Sequence, residues 1–395
     1  MNQADHSSGF IVDDRVLNLR RPHGGGRDLR AWDAADEQLV AEARQRLRPG
    51  DRVAVVDDGF GALALGLADF APTVIADSAA LAEALDRNAA ANNLTVPPIR
   101  SWLDEPGLGE ASVEDSGPFD AVVLKVPRQL DYLDFLLRWA NRVLRPDGWL
   151  LTGGMIKHLP DQAAGLYRER VTTETVFPAR KKARMVLCRP GTDGLDGWDG
   201  LWKGYTTPGS GLSIRALPAV FARERLDIGT RELLPLIADA VAPLPAGGRV
   251  LDLACGNGVL GLEVLSARPD LSVTFADISS QAVLSASGNA RALGVAGEQC
   301  RLVHADGVPA DAGRFQRILL NPPFHEGGVV GDHIALRLFA EAAQCLDEGG
   351  ELLMVGNRHL GYHRSLRSVF GDIRQLRASP KFVVFRASDP LAKHR

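Results

Sequence analysis

The sequence predicts an α/β protein of two tandem doubly wound domains, each a mostly parallel sheet with helices on both faces. Three observations carry this. Short apolar runs alternate with helical patterns in both halves, as βαβ units require. The apolar runs end repeatedly on an acid, a glycine turn or a proline, the residues that populate the ligand-bearing edge of an open sheet. The halves also repeat the same order at near-equal spacing: Asp57 to Lys125 is 68 positions and Asp252 to Asn321 is 69. That near-equality favours a duplication over two unrelated α/β domains, although doubly wound folds are common.

In the first half, Asp51 to Val56 reads as a strand and Asp57-Asp58-Gly59-Phe60-Gly61 as its turn. Leu63, Leu65 and Leu67 begin a helix pattern. Thr73 to Ala76 is a strand ending at Asp77, and residues 79–91 read as helix. Phe119 to Leu124 is a strand ending at Lys125-Val126-Pro127-Arg128; a helix through Leu130, Leu133, Phe135 and Leu137 and a strand at Gly148 to Leu151 follow. Ala183 to Leu187 is the last strand.

In the second half, Arg249 to Ala254 is a strand ending at Cys255-Gly256-Asn257-Gly258. Helix pattern follows through Leu260, Leu262, Val264 and Leu265. Val273 to Ala276 ends at Asp277, Arg301 to Ala305 ends at Asp306, and Arg317 to Leu320 ends at Asn321-Pro322-Pro323-Phe324. Helix pattern through Leu336, Leu338, Phe339 and Ala342 leads to a strand at Gly349 to Val355, and Phe382 to Phe385 closes the half. The domains are therefore placed at 1–190 and 216–395. The Gly- and Asp-rich stretch 191–215 is read as a linker, with room for a short hairpin.

Composition narrows the class. The 395 residues are 45% hydrophobic and 24% charged, ordinary for a soluble protein. No apolar stretch approaches membrane-spanning length and the N-terminus lacks a signal-peptide pattern, so the expected compartment is the cytoplasm, with no membrane partner. A monomer is the expected state. Cys188, Cys255, Cys300 and Cys345 have no metal-ligand spacing and read as reduced thiols. The net charge of −4 argues against a nucleic-acid partner. Residues 1–200 carry 24 Lys+Arg against 30 Asp+Glu, and residues 201–395 carry 21 against 19, so the halves do not reverse that argument. Local clusters do exist, at Arg20-Arg21 with Arg27 and Arg30, and at Arg180-Lys181-Lys182 with Arg184. The bland reading of each is a solvated charged face.

Chemistry concentrates after the strands of the second half. The turn with Gly256 and Gly258 lets backbone approach a ligand, but alone it would suit any nucleotide. Asp277 suits a ribose diol, of NAD or of S-adenosylmethionine. Asp306 suits an adenine amino group, and Asp252 completes a set of acids at successive strand ends. Asn321-Pro322-Pro323-Phe324 separates these cofactors. Prolines stiffen the loop, and the Asn321 side-chain oxygen with the Pro322 carbonyl forms a paired acceptor for an NH₂ group. Accepting its hydrogens draws electron density to nitrogen and holds it in line for attack on a sulfonium methyl. Phe324 offers a face for stacking a base. In the first half the same place holds Lys125 and Arg128, which would repel a sulfonium and attract phosphate. That half is read as non-catalytic, with RNA binding through Lys125, Arg128, Lys181, Lys182 and Arg184 as its expected role and plain scaffolding as the alternative.

Asp-Leu-Ala-Cys-Gly-Asn-Gly at 252–258 and Asn-Pro-Pro-Phe-His at 321–325 resemble the class I (Rossmann-like) amino-methyltransferases, whose sheets have seven strands. More narrowly the chain resembles the tandem-domain guanine-N2 methyltransferases of bacterial ribosomal RNA (the RlmG/RsmC family), over nearly its whole length. The motifs are residues 31–37, 59–63, 125–127, 181–184, 226–229, 321–325, 357–360 and 381–384. The first four place it nearer the large-subunit (23S rRNA) branch. The resemblance implies a catalytic second domain and a degenerate first one. It assigns Asn321, Pro322 and Phe324 to the target base, and Asp252, Gly256, Gly258, Asp277 and Asp306 to S-adenosylmethionine. Phe221 and Asp227 lie in a segment that would cover the cofactor. Competing readings are a 16S rRNA guanine, the glutamine amide of a release factor, adenine N6 in DNA, and a non-catalytic RNA-binding assembly protein.

Overall fold

The computed structural model describes residues 9–22, 30–105, 108, 117–159, 161–295, 297–323 and 333–391. The chain divides into two units, Met1–Leu201 and Trp202–Arg395, each built on a seven-stranded sheet.

The first unit opens with a hairpin, β1 (Phe10–Val12) and β2 (Arg15–Leu17), and helix α1 (Ala34–Arg46). Then come β3 (Val53–Val56), α2 (Ala62–Gly66), β4 (Thr73–Ile75), α3 (Ala80–Ala91), β5 (Ile99–Arg100) and β6 (Phe119–Lys125). The unit continues with α4 (Leu130–Val143), β7 (Leu144–Met155), α5 (Ala163–Arg170), β8 (Thr172–Val176) and β9 (Ala183–Arg189). The sheet order is β5-β4-β3-β6-β7-β9-β8, and β9 runs antiparallel to both its neighbours. β3 is buried at every position, the mark of a central parallel strand covered on both faces. Helix α4 turns Leu133, Phe135, Leu136, Leu137, Trp139 and Ala140 into the core.

The second unit repeats this plan. A hairpin, β10 (Lys203–Thr206) and β11 (Ser213–Ala216), and helices α6 (Ile228–Leu233) and α7 (Ile237–Val241) come first. They are followed by β12 (Arg249–Leu253), α8 (Val259–Ala267), β13 (Ser272–Asp277), α9 (Ser280–Ala292), β14 (Cys300–His304) and β15 (Phe315–Leu320). The unit ends with α10 (His333–Cys345), β16 (Leu346–Asn357), α11 (Tyr362–Arg367), β17 (Phe370–Ala378) and β18 (Phe382–Pro390). The order is β14-β13-β12-β15-β16-β18-β17, with β18 reversed. Among the described residues no helix is long and apolar enough to cross a membrane.

Two expectations need correction. The stretch 191–215 is taken up by the units it was read as joining. Asn141 receives the Gly191 N–H and donates to the Asp193 carbonyl, both at 2.8 Å, and Arg138 lies over the Trp198 ring. The β10–β11 hairpin packs on α9, where Asn289 exchanges two hydrogen bonds with the Arg215 backbone. The apolar residues of this Gly-rich stretch decide the outcome, since Leu195 and Ile214 are buried.

The strand register also changes the internal alignment. Val55 pairs with Val123 and Asp252 with Leu319, while Val56 pairs with Leu124 and Leu253 with Leu320. Lys125 and Asn321 are therefore true counterparts, but Asp57 is not the counterpart of Asp252; Val55 is. The carboxyl beneath the helix that follows this strand, α2, has moved three residues along, to Asp58, which accepts the Gly61 and Ala64 N–H groups.

Candidate active site

The sheet order of the second unit reverses beside β12, so the crevice lies outside the carboxyl ends of β12, β13 and β15. After β12 the chain turns through Ala254, Gly256 and Gly258, all at positive φ (56°, 55° and 81°). Gly258 caps α8, and a Cβ there would lie 2.9 Å from the Ala286 Cβ. A Cβ on Gly256 would meet nothing within 4 Å, so its backbone forms a bare shelf facing open space. Asp277, at the end of β13, ties this shelf down. One of its oxygens accepts the Gly256 N–H at 2.8 Å and the other the Ser279 N–H at 2.9 Å. A bare glycine shelf beside a half-buried acid suits the amino-acid and ribose portions of S-adenosylmethionine.

Asp252 does not line this crevice. It is fully buried, one oxygen accepts the Gly261 N–H at 2.9 Å, and the other makes no hydrogen bond among the described residues. Burial pushes its carboxyl well above the ordinary carboxylate range. The structure therefore places it as the support of the α8 N-terminus. Asp306 stands beyond β14 and forms an ion pair with Arg337 of α10, which also donates to the Asp306 carbonyl at 3.1 Å. Phe221 is 59% exposed, between Ala219 and Ala222, which both adopt left-handed backbone.

Asn321 follows β15. Its Nδ2 donates to Asp227 Oδ2 at 3.1 Å and to Thr230 Oγ1 at 3.0 Å. Its Oδ1 is buried and makes no hydrogen bond among the described residues, although buried polar atoms are nearly always paired. Asp227 is the N-cap of α6 and accepts the Thr230 N–H at 2.8 Å. The structure thus brings Asp227 to Asn321, where the sequence reading had assigned it to the cofactor. Pro322 is buried and Pro323 exposed. Phe324 and His325 lie outside the described residues, as does Arg27.

The first unit has the same three positions with different chemistry. Lys125 Nζ donates to Asp33 at 2.7 Å and to Asp36 at 2.6 Å, and Asp33 caps α1 with Asp36 in a capping box. Lys125 is therefore spent on a partly buried ion pair, which corrects its expected role in RNA binding. The strand-end acid after β3 is engaged as well. Tyr132 of α4 donates to Asp57 at 3.0 Å and receives the Trp102 indole N–H at 3.0 Å, and both rings are buried. Burial, with Asp77 alongside, pushes the Asp57 carboxyl up to about 7.

Arg128, Lys181, Lys182 and Arg184 are exposed. Arg128 meets His158 at 3.0 Å and Lys181 pairs with Glu37 at 2.8 Å. Lys181 and Lys182 form a two-residue turn with φ of 46° and 61°, closed by reciprocal Arg180–Ala183 backbone bonds of 3.0 and 2.8 Å. Such turns favour Asn and Gly, so two lysines here cost conformational energy. By contrast, Arg21 folds back over Phe60, 4.8 Å from the ring centroid. Thr230 and Arg337 carry no expectation from the sequence, and Asp33 and Asp36 only that of lying in the motif 31–37. The signal for Thr230, Asp33 and Asp36 was present, as an acid followed three residues later by a polar side chain before the first strand of each seven-stranded sheet, β3 and β12.

Residues 211–386 match the methyltransferase small domain family and residues 7–192 the RLMG N-terminal domain family. A ribosomal RNA large subunit methyltransferase G of Stutzerimonas stutzeri is 38% identical over 373 residues, covering 93% of this chain and 96% of its own length. Its namesake in Pseudomonas aeruginosa is also 38% identical, with the same coverage. The solved structure of T. thermophilus 16S rRNA methyltransferase (RsmC), in complex with AdoMet and guanosine, is similar with a TM-score of 0.72 and 23% identity, covering 95% of each chain. That likeness shows the fold.

Proposed function

The chain belongs to the family of ribosomal RNA large subunit methyltransferase G, and from that premise we propose that it methylates the exocyclic N2 of a guanine in large-subunit ribosomal RNA. S-adenosylmethionine is the cofactor, and when bound it supplies a methyl group on a positively charged sulfur. The second unit is the catalytic one, with the Gly256 shelf and Asp277 holding the cofactor.

The observation that carries the reading is the Asn321 side chain. Its NH₂ group is committed to Asp227 and Thr230, and its buried oxygen is left as an acceptor. An exocyclic amine has two N–H bonds and a delocalised lone pair. Hydrogen bonds from that amine to Asn321 Oδ1 and the Pro322 carbonyl localise the lone pair on nitrogen and aim it. As the amine nitrogen takes the methyl, the carbon–sulfur bond breaks with its electron pair returning to sulfur, and the methylated amine sheds one proton to solvent. Phe324 stacks on the flipped base, whose extrusion costs a few kcal/mol. Arg128, Lys181, Lys182 and Arg184 of the first unit hold RNA phosphates, positioning the substrate without reading its sequence. The strained Lys181-Lys182 turn supports that role, because strain of this kind persists where function maintains it.

The test is methyl transfer from labelled S-adenosylmethionine to ribosomal RNA and to total protein from cells lacking the gene. Label is expected as N2-methylguanosine in the large RNA, falling roughly 10²–10³-fold with Asn321→Ala. Label confined to protein would move the activity to an amide, and label in the small RNA would move the target to the other subunit. Full activity of the Asn321 variant would remove the proposed role of its oxygen.

A further inference from the structure

We propose that Asp227 and Thr230 are positioning residues for methyl transfer, which lock the Asn321 amide so that only its oxygen faces the acceptor amine. This rests on the reading above and adds the device that makes the Asn321 oxygen usable. A free carboxamide presents either its oxygen or its NH₂ by a half-turn about its terminal bond, and the wrong orientation sets a donor against the two N–H bonds of the substrate. Two acceptors remove that freedom here. Asp227 Oδ2 and Thr230 Oγ1 lie 3.1 and 3.0 Å from the amide nitrogen, one for each of its hydrogens. A flipped amide would set its oxygen against the acceptor-only carboxylate of Asp227, so Asp227 fixes the sense of the amide, while the Thr230 hydroxyl, which can donate or accept, holds its second hydrogen.

The lock is itself held rigidly. The Asp227 oxygen that binds Asn321 also caps α6 through the Thr230 N–H at 2.8 Å. Thr230 is 5% exposed. Between them stands Gly229, where a Cβ would lie 3.0 Å from that oxygen and 2.9 Å from the Phe382 ring. Only a bare residue lets α6 seat this closely against β18.

The first unit supplies an independent comparison. There the residue ending the fourth strand of the parallel run, Lys125, is again held by the N-cap residue and the third residue of the helix that leads into the sheet, Asp33 and Asp36 of α1. The same triad therefore recurs in both units. In the first, lysine fills it with an ion pair and presents no acceptor. In the second, asparagine uses one end for anchorage and leaves the other for chemistry. The contrast separates Asp227 from the cofactor. Its contact is with the group that faces the amine, so its loss should lower kcat and leave S-adenosylmethionine affinity unchanged.

The variants are Asp227→Ser, Thr230→Val and Asp227→Asn in the full-length protein. Serine still caps a helix but is too short to reach Asn321, valine is near-isosteric with threonine but lacks the oxygen, and asparagine can keep both contacts through one oxygen. With ribosomal RNA as acceptor, Asp227→Ser and Thr230→Val should each lower kcat about tenfold. KM for RNA, Kd for S-adenosylmethionine and Tm should stay near wild type, and Asp227→Asn should retain most of kcat. Wild-type kcat in both disrupted variants overturns the proposal. So does a loss confined to S-adenosylmethionine affinity, which would make Asp227 a cofactor ligand. Should Asp227→Ser fail to fold, Thr230→Val decides by itself. If wild type labels an acceptor other than guanine, the function reading fails, and the same variants measured on that acceptor still decide the lock.

Discussion

Replacing Lys125 with methionine separates a structural lysine from an RNA-binding one. Lys125 lies between Asp33 and Asp36, at 2.7 and 2.6 Å, with 21% of its side chain exposed and 8% of that of Asp36. Breaking a buried ion pair from one side costs roughly 3–5 kcal/mol, because the remaining charge stays desolvated. Asp33 is 36% exposed and can be rehydrated, so roughly 2–4 kcal/mol is the better expectation. For a unit of about 200 residues this is roughly 5–15 °C in Tm. Tryptophan fluorescence during thermal unfolding reports it, since five of the six tryptophans lie in the first unit.

The loss also has a pH signature. Burial raises the Asp33 carboxyl, but the Lys125 charge and hydrogen bond outweigh it and hold the group below its ordinary value. A lowered folded pKa contributes stability above the unfolded value that is lost as pH falls through the folded one. Asp36 is pushed up to about 6 by burial in spite of Lys125, so it binds a proton more readily folded than unfolded and favours folding at lower pH. Without Lys125 both carboxyls rise. The gap between variant and wild type should therefore be largest above about pH 6 and shrink toward pH 4. An unchanged Tm, together with weaker RNA binding and a salt dependence reduced by about one phosphate contact, would refute the reasoning and return Lys125 to the RNA.

The glycine turn and the lysine turn give further tests. Gly258→Ala puts a Cβ at φ 81° and 2.9 Å from the Ala286 Cβ, which should cost about 2–4 kcal/mol. Calorimetric titration should show weaker S-adenosylmethionine binding, and normal stability with normal affinity would mean that the turn relaxes freely. Lys182→Gly should have opposite effects on stability and binding. Relief of a left-handed lysine should stabilise by about 1 kcal/mol, while loss of a cation should weaken RNA binding and flatten its salt dependence. Stabilisation without a change in RNA affinity would remove Lys182 from the interface.

Sequence alone determined the layered architecture. Short, valine-rich apolar runs bounded by turn residues, such as Val53–Val56, read as central parallel strands, and the structure buries that run at every position. It also placed Gly256, Gly258, Asp277 and Asn321 at one edge, since residues after parallel strands converge there. It did not reveal β5, β8 or β17. These lie at or beside sheet edges, and β8 is exposed at every position, so burial imposes no pattern on them.

The partners of the converging residues were decided by tertiary structure. Asp252 looked like a crevice acid, and only the register with Leu319 shows it buried beneath the helix. Lys125 looked like a phosphate contact until Asp33 and Asp36, about 90 residues away, closed on it. Asp227 has the local spacing of a cofactor ligand, and β15 brings Asn321 to one of its oxygens across a separation of 94. A side chain's local spacing gives its chemical capacity. Which capacity is used depends on long-range neighbours that consume some of its hydrogen bonds and leave others, as the Asn321 amide is consumed and its oxygen left.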